Sequence, residues 1–129
     1  MHNIHSPRTD DAGIEAEIIA KGKTAPRVTP ADVEANIIDE VFFTGGQGYQ
    51  RANVDAGMPA GSYSRLGVLT FCVLVLRNGF TVTGESACAS PENFDAEIGR
   101  KIARENALQK IWPLMGYALK QQLADRRGD

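Results

Sequence analysis

At 129 residues with a formal charge of −2, the chain suits one domain with a real core and is too short for two. It lacks the excess of Lys and Arg expected of a non-specific nucleic-acid binder, and no block of like charge imitates DNA. No apolar run reaches a membrane span, and the first residues, with Asp10, Asp11 and no apolar stretch, do not form a secretory signal, so a cytoplasmic location is expected.

From Met1 to Val28 the sequence is mixed and polar, and Pro7, Gly22 and Pro26 interrupt any long periodicity. Residues 1–28 are expected to be a loose, flexible arm with a short element at Ile14 to Ile19. Thr29-Pro30-Ala31-Asp32 has the residue order of a capped helix start, and a short amphipathic helix is expected through Val33, Ile37 and Ile38. Val41-Phe42-Phe43 fits either a short strand or the end of that helix. Gly45, Gly46, Gly48, Gly57, Pro59 and Gly61 then mark a long flexible connection up to Arg65, a length that in a small domain is either functional or disordered.

Leu69 to Leu76 is apolar at every position but Thr70, rich in β-branched and aromatic residues, and reads as a central strand covered on both faces. Asn78-Gly79 predicts a two-residue type I′ turn, returning Phe80 to Glu85 antiparallel with Arg77 opposite Phe80 and Val75 opposite Val82. Ser90 before Pro91, with Glu92 and Asp95 following, predicts a capped helix start. Phe94, Ile98, Ile102, Leu108 and Trp112 then form the expected inward face, and Glu97 with Lys101 an i,i+4 pair on the wet side. Pro113 predicts a kink or short break, with Leu114 to Leu123 as a terminal helix. The fold expected is α+β: a small antiparallel sheet built on the central hairpin, flanked by an N-terminal helix and a long, Pro-kinked C-terminal helix. Residues 29–123 form the domain and 124–129 a tail.

Little in the sequence supports catalysis. His2 and His5 lie in the arm, and Ser62, Ser86 and Ser90 have no paired base at a recognisable spacing. The glycine-rich stretch lacks the order and the strand-to-helix setting of a phosphate loop. Cys72 and Cys88 have no metal-ligand spacing and read as small buried thiols. Arginines are the better lead. Arg100 and Arg104 stand four apart on one stripe of the long helix, where two guanidinium groups form either a fork for phosphate oxygens or a surface pair tied to Glu97 or Glu105. Phe80 and Tyr117 are either stacking surfaces for a purine or core aromatics.

The string from Asn78 to Ala107, NGFTVTGESACASPENFDAEIGRKIARENA, together with Lys110 to Tyr117, closely resembles a widespread family of small phage and prophage proteins. With the Thr29-Pro30 helix the resemblance covers about three quarters of the chain. The family looks like the one that includes the first type of Thoeris anti-defence protein, a phage-encoded sponge for immune signals. The resemblance implies a phage protein of the infected bacterial cell that binds TIR-derived cyclic ADP-ribose isomers without cleaving them, in some relatives together with cyclic oligonucleotides. It implies no enzyme activity, cofactor, metal or DNA partner.

A pyrophosphate would then take Arg100, Arg104 and Arg77, ribose hydroxyls Asn93, Thr83 and Glu85, and adenine a face of Phe80 or Tyr117. Exposed sheet edges and the apolar Ile111, Leu114 and Met115 make a homodimer the minimum expectation, and a hexamer rests on the resemblance alone. The rival reading is a phage inhibitor or accessory protein acting through protein contacts on a helix face that carries Ile111, Trp112 and Met115.

Overall fold

A computed structural model describes residues 10–128. His2 and His5 lie outside the described residues. Asp10 caps the first helix, α1 (Asp11–Ala20), by accepting from the Gly13 N–H, so the segment expected to be an arm carries more helix than the Ile14 to Ile19 element. Arg27 pairs in bidentate fashion with Glu15, which ties the chain after α1 back onto it. A short second helix, α2 (Pro30–Ala35), starts as the sequence implies. Thr29 Oγ1 accepts from the Asp32 N–H at 3.0 Å, and the Asp32 carboxylate accepts from the Thr29 N–H at 2.9 Å.

That helix stops at Ala35, short of Ile37 and Ile38, which belong instead to the first strand, β1 (Ile37–Thr44). β-Branched and aromatic residues dominate β1 and suit a pleated surface better than a helix. The last turn of α2 is closed from outside. Arg77 Nε donates to the Ala35 carbonyl at 2.7 Å, and the Arg77 backbone N–H donates to the Asn36 carbonyl at 3.0 Å. The glycine-rich connection is largely helical: α3 (Gly45–Asp55) and a 3-10 turn (Ser64–Val68) occupy it. Thr44 and Gln47 form a capping box whose two hydrogen bonds outweigh the poor propensity of Gly45, Gly46 and Gly48.

β2 (Leu69–Leu76) is the central strand of an antiparallel sheet ordered β1-β2-β3, with β3 spanning Thr81–Ala87. The hairpin between β2 and β3 differs from the expected one. Only Gly79 has a positive φ, 88°, while Asn78 stays in the ordinary region. The Gly79 N–H donates to Leu76 O and the Leu76 N–H to Phe80 O, each at 2.8 Å. Arg77-Asn78-Gly79 is therefore a three-residue loop, a β-turn followed by a left-handed glycine, and not a type I′ pair. The register moves by one residue, so that Val75 faces Thr81 and Leu74 faces Val82.

Burial alternates along β2: Thr70, Cys72, Leu74 and Leu76 point into the core, and Leu69, Phe71, Val73 and Val75 are only half-buried. The expected double cover is absent because α2 and the long helix α4 (Ala96–Arg127) pack on the same side. Among the described residues the opposite face is open, and there Val41 pairs with Val73, while Phe43 stacks on Phe71 with ring centroids 5.4 Å apart.

Ser90 does not cap α4. Pro91–Asn93 forms a separate 3-10 turn, and Asp95 is the cap, accepting from the Ile98 N–H at 2.9 Å. The buried stripe of α4 is Gly99, Ile102, Ala103, Ala107 and Ile111, whereas Ile98 is exposed and Phe94, Leu108 and Trp112 are half-buried. Small residues prevail here because α4 lies directly on β3 at Gly84. A Cβ on Gly84 would stand 2.2 Å from the Ala103 carbonyl oxygen and 2.3 Å from the Ala107 nitrogen. The helix continues through Pro113 without a break, with that ring on the exposed side. The Glu97–Lys101 pair forms as expected, at 3.4 Å.

Candidate functional site

The residues expected to make one pocket are spread over several surfaces. Phe80 stands at the hairpin, 55% exposed, and Tyr117 on the outer side of α4 is 74% exposed. Thr83 and Glu85 lie on the open face of β3, and Asn93 sits exposed in the 3-10 turn before α4. Arg77 borders a cavity of about 400 Å³ between α2 and the C-terminal half of α4, whose other wall includes Met115 and Leu119. There its Nε is already held by Ala35 O.

Arg100 and Arg104, expected as a fork, have separate fates. Arg104 donates from Nη1 and Nη2 to the two oxygens of Glu34, at 3.0 and 2.9 Å, and from Nε to Glu40 at 2.7 Å. These bonds hold the Glu34 carboxyl below the usual carboxylate range and push the guanidinium further up. Three of its donors are taken by two carboxylates, so Arg104 joins α4 to α2 and β1 and does not act as half of an anion fork. Its partners are Glu34 and Glu40, not the expected Glu97 or Glu105.

Arg100 is exposed and forms no ion pair among the described residues. It borders a cavity of about 250 Å³ at the end of the sheet. Phe42 and Phe94 supply its apolar walls, Phe43 borders it from β1 with its ring turned to the other sheet face, and Ala96 in the first turn of α4 adds a short side chain. Thr44, Gln47 and Thr70 supply the polar part. Thr70 is 3% exposed, and its Oγ1 is buried without a hydrogen-bond partner. Such a hydroxyl is costly to leave unpaired. Among the described residues Arg100 is the single charged group of this lining. A cavity with aromatic walls, one cation and a few neutral polar groups suits a ligand that combines a flat ring with negative charge.

The sequence pointed to Arg100 but not to its neighbours. Thr70 and Phe42 were hidden within apolar strands, and Gln47 lay in a stretch read as a connection. A threonine three residues before a glutamine was the available signal, since that spacing makes a capping box. Both cysteines are buried as expected. Burial pushes the Cys72 thiol up to about 11, and Cys88 Sγ lies 3.1 Å from Ser90 O. Among the described residues no cluster of three or more His, Cys, Asp or Glu is placed to hold a metal ion, and no helix is long and apolar enough to cross a membrane.

The model of one family, described as Phage protein (N4 Gp49/phage Sf6 gene 66) family, matches residues 28–123 of the 129. The chain belongs to this family. The matched span of this phage protein contains every residue that borders the Arg100 cavity and the whole Arg104 network, and it leaves out α1. No curated protein and no solved structure matches the chain.

Proposed function

We propose that this phage protein is an anti-defence factor that binds and sequesters a cyclic ADP-ribose signal made by a TIR-domain enzyme, without cleaving it. The observation that carries the reading is the Arg100 cavity, where an unpaired guanidinium, phenylalanine walls and a buried hydroxyl without a partner meet on one small site. An adenine-bearing, doubly phosphorylated ligand needs a π-surface, a fixed positive charge and neutral hydrogen-bonding groups, and these are the groups present. The Asn78 to Ala107 string resembles a family of small phage proteins that looks like the one including a sponge of this type, which supports the same class of ligand. Among the described residues no carboxylate, histidine or cysteine borders the cavity, which favours holding the ligand over general acid–base attack on it.

Titration calorimetry of the wild-type chain and Arg100→Ala against glycocyclic ADP-ribose isomers tests the proposal. The variant is expected to bind at least tenfold more weakly with an unchanged melting temperature, because Arg100 has no structural partner to lose. Equal affinities would place the ligand elsewhere.

A second reading, an inhibitor that works through protein contacts, has one observation in its favour. The open sheet face sets Val41 and Phe43 beside Phe71, Val73 and Val75, with neither α2 nor α4 packed on that side among the described residues. The helix surface expected for that role is used internally: Ile111 is fully buried, and Trp112 and Met115 pack against the core. The same open face could be covered by a second copy of the chain, so homo-oligomerisation is part of the proposal.

A further inference from the structure

The Arg100 cavity adjoins another. A second cavity, of about 280 Å³, shares Thr44 and Gln47 with the first and is otherwise bordered by groups such as Gln50, Ser62, Tyr63 and Ser64. Among the described residues no charged group borders it. Its loop wall is held in place, since the Tyr63 ring meets Tyr49 of α3 edge to face at 5.7 Å and Asn53 Nδ2 donates to Ala60 O at 3.2 Å. The two cavities meet at the first turn of α3, and the two residues they share, Thr44 and Gln47, are aligned by the capping box.

Gln47 Oε1 accepts from the Thr44 N–H at 2.9 Å, while the Gln47 N–H donates to Thr44 Oγ1 at 3.1 Å. A planar amide whose oxygen is fixed in this way has its NH₂ group directed to the other side, and Gln47 Nε2 forms no hydrogen bond among the described residues. A donor that is already oriented loses little freedom when it binds.

We infer that Gln47 is a ligand-orienting donor on the wall common to both cavities. The ligand straddles it with hydroxyl-bearing ribose on the uncharged side and the anionic, aromatic part beside Arg100 and Phe94. The inference rests on the reading of the Arg100 cavity given above and adds to it the second compartment and the residue that joins the two. Serine hydroxyls and a glutamine amide both donate and accept, as sugar hydroxyls require, whereas a phosphate would call for the fixed cation that only the first cavity has. The first cavity alone, at about 250 Å³, is small for a dinucleotide-sized ligand.

Gln47→Glu separates this role from a structural one. Glutamate keeps an oxygen for the Thr44 N–H and suits a helix first turn, so the fold should be kept and the melting temperature should not fall. It removes the donor and sets a negative charge between the compartments. Calorimetric titration with glycocyclic ADP-ribose is expected to give binding about tenfold weaker or worse for Gln47→Glu and for the Ser62→Ala/Ser64→Ala double variant. If Arg100→Ala loses affinity while both of these variants bind like the wild type, the two-compartment inference is overturned and the Arg100 reading survives. If the folded wild-type chain binds none of the isomers, both fail together.

Discussion

Arg104 is withdrawn from any anion site by Glu34 and Glu40, and that choice has a measurable pH signature. The Glu34 carboxyl is held below its ordinary value of 4.5 by the Arg104 hydrogen bonds. A group depressed on folding adds stability that is fully present above its unfolded pKa and is lost as the pH falls through the folded one. Unfolding free energy should therefore drop below about pH 4.5, and Glu34→Gln should flatten part of that drop. At pH 7 the same variant should cost about 1 kcal/mol, since Glu34 is half exposed and solvent screens the pair. Urea titrations between pH 3 and pH 7 check both, and an unaltered acid slope would contradict the role given to this pair. Arg100, one turn earlier, has none of these partners. The two arginines were indistinguishable in the sequence, because the carboxylates that separate them come from α2 and β1 and not from α4.

Elements were legible where local chemistry and tertiary packing agree. The apolar run of β2, the Thr29-Pro30 helix start and the Glu97–Lys101 pair all appear where residue order placed them. Discrepancies arise where a short-range rule competed with a longer one. Asn78-Gly79 suggested a two-residue turn, yet Arg77 joins the loop because its backbone and side chain close the end of α2. Glycines at 45, 46 and 48 suggested a connection, yet the Thr44–Gln47 box starts a helix there. The inward face of α4 was assigned to its large apolar residues, but contact with Gly84 demands small ones.

Gly84→Ala should thus cost about 3 kcal/mol or more, because its new methyl would meet backbone atoms that cannot turn aside. Chemical denaturation reads it directly, and a loss under 1 kcal/mol would refute the close approach. Pro113→Ala acts in the other direction. It restores a donor within a continuous, exposed stretch of α4 and should raise stability by about 1–3 kcal/mol; a lower melting temperature would mean that the ring is needed for a bend. As for the candidate site, its cation was visible and its cavity was not, since four separate elements converge there only once the chain is folded.

For the whole molecule, the decisive asymmetry is a sheet with one covered face. Helices α2 and α4 enclose the core on one side, and the other presents Val41, Phe43 and their half-buried neighbours on β2. A patch of this kind on a small domain is expected to be covered by a second copy, so sedimentation should find a dimer or larger assembly, and Val41→Glu should shift it toward the monomer with its fold kept. A wild-type chain that sediments as a monomer at all concentrations would contradict this. The assembly and the Arg100 cavity are compatible with each other, as the family membership is with both.

The central claim is that the chain holds a cyclic ADP-ribose signal intact. The most direct measurement is to titrate the purified protein with the glycocyclic isomers, release whatever is bound by heat, and identify it by chromatography. Saturable binding with unchanged ligand recovered is the result expected. Recovery of a hydrolysed or linear product would make the protein an enzyme, and no binding by folded protein at any ligand concentration would contradict the account.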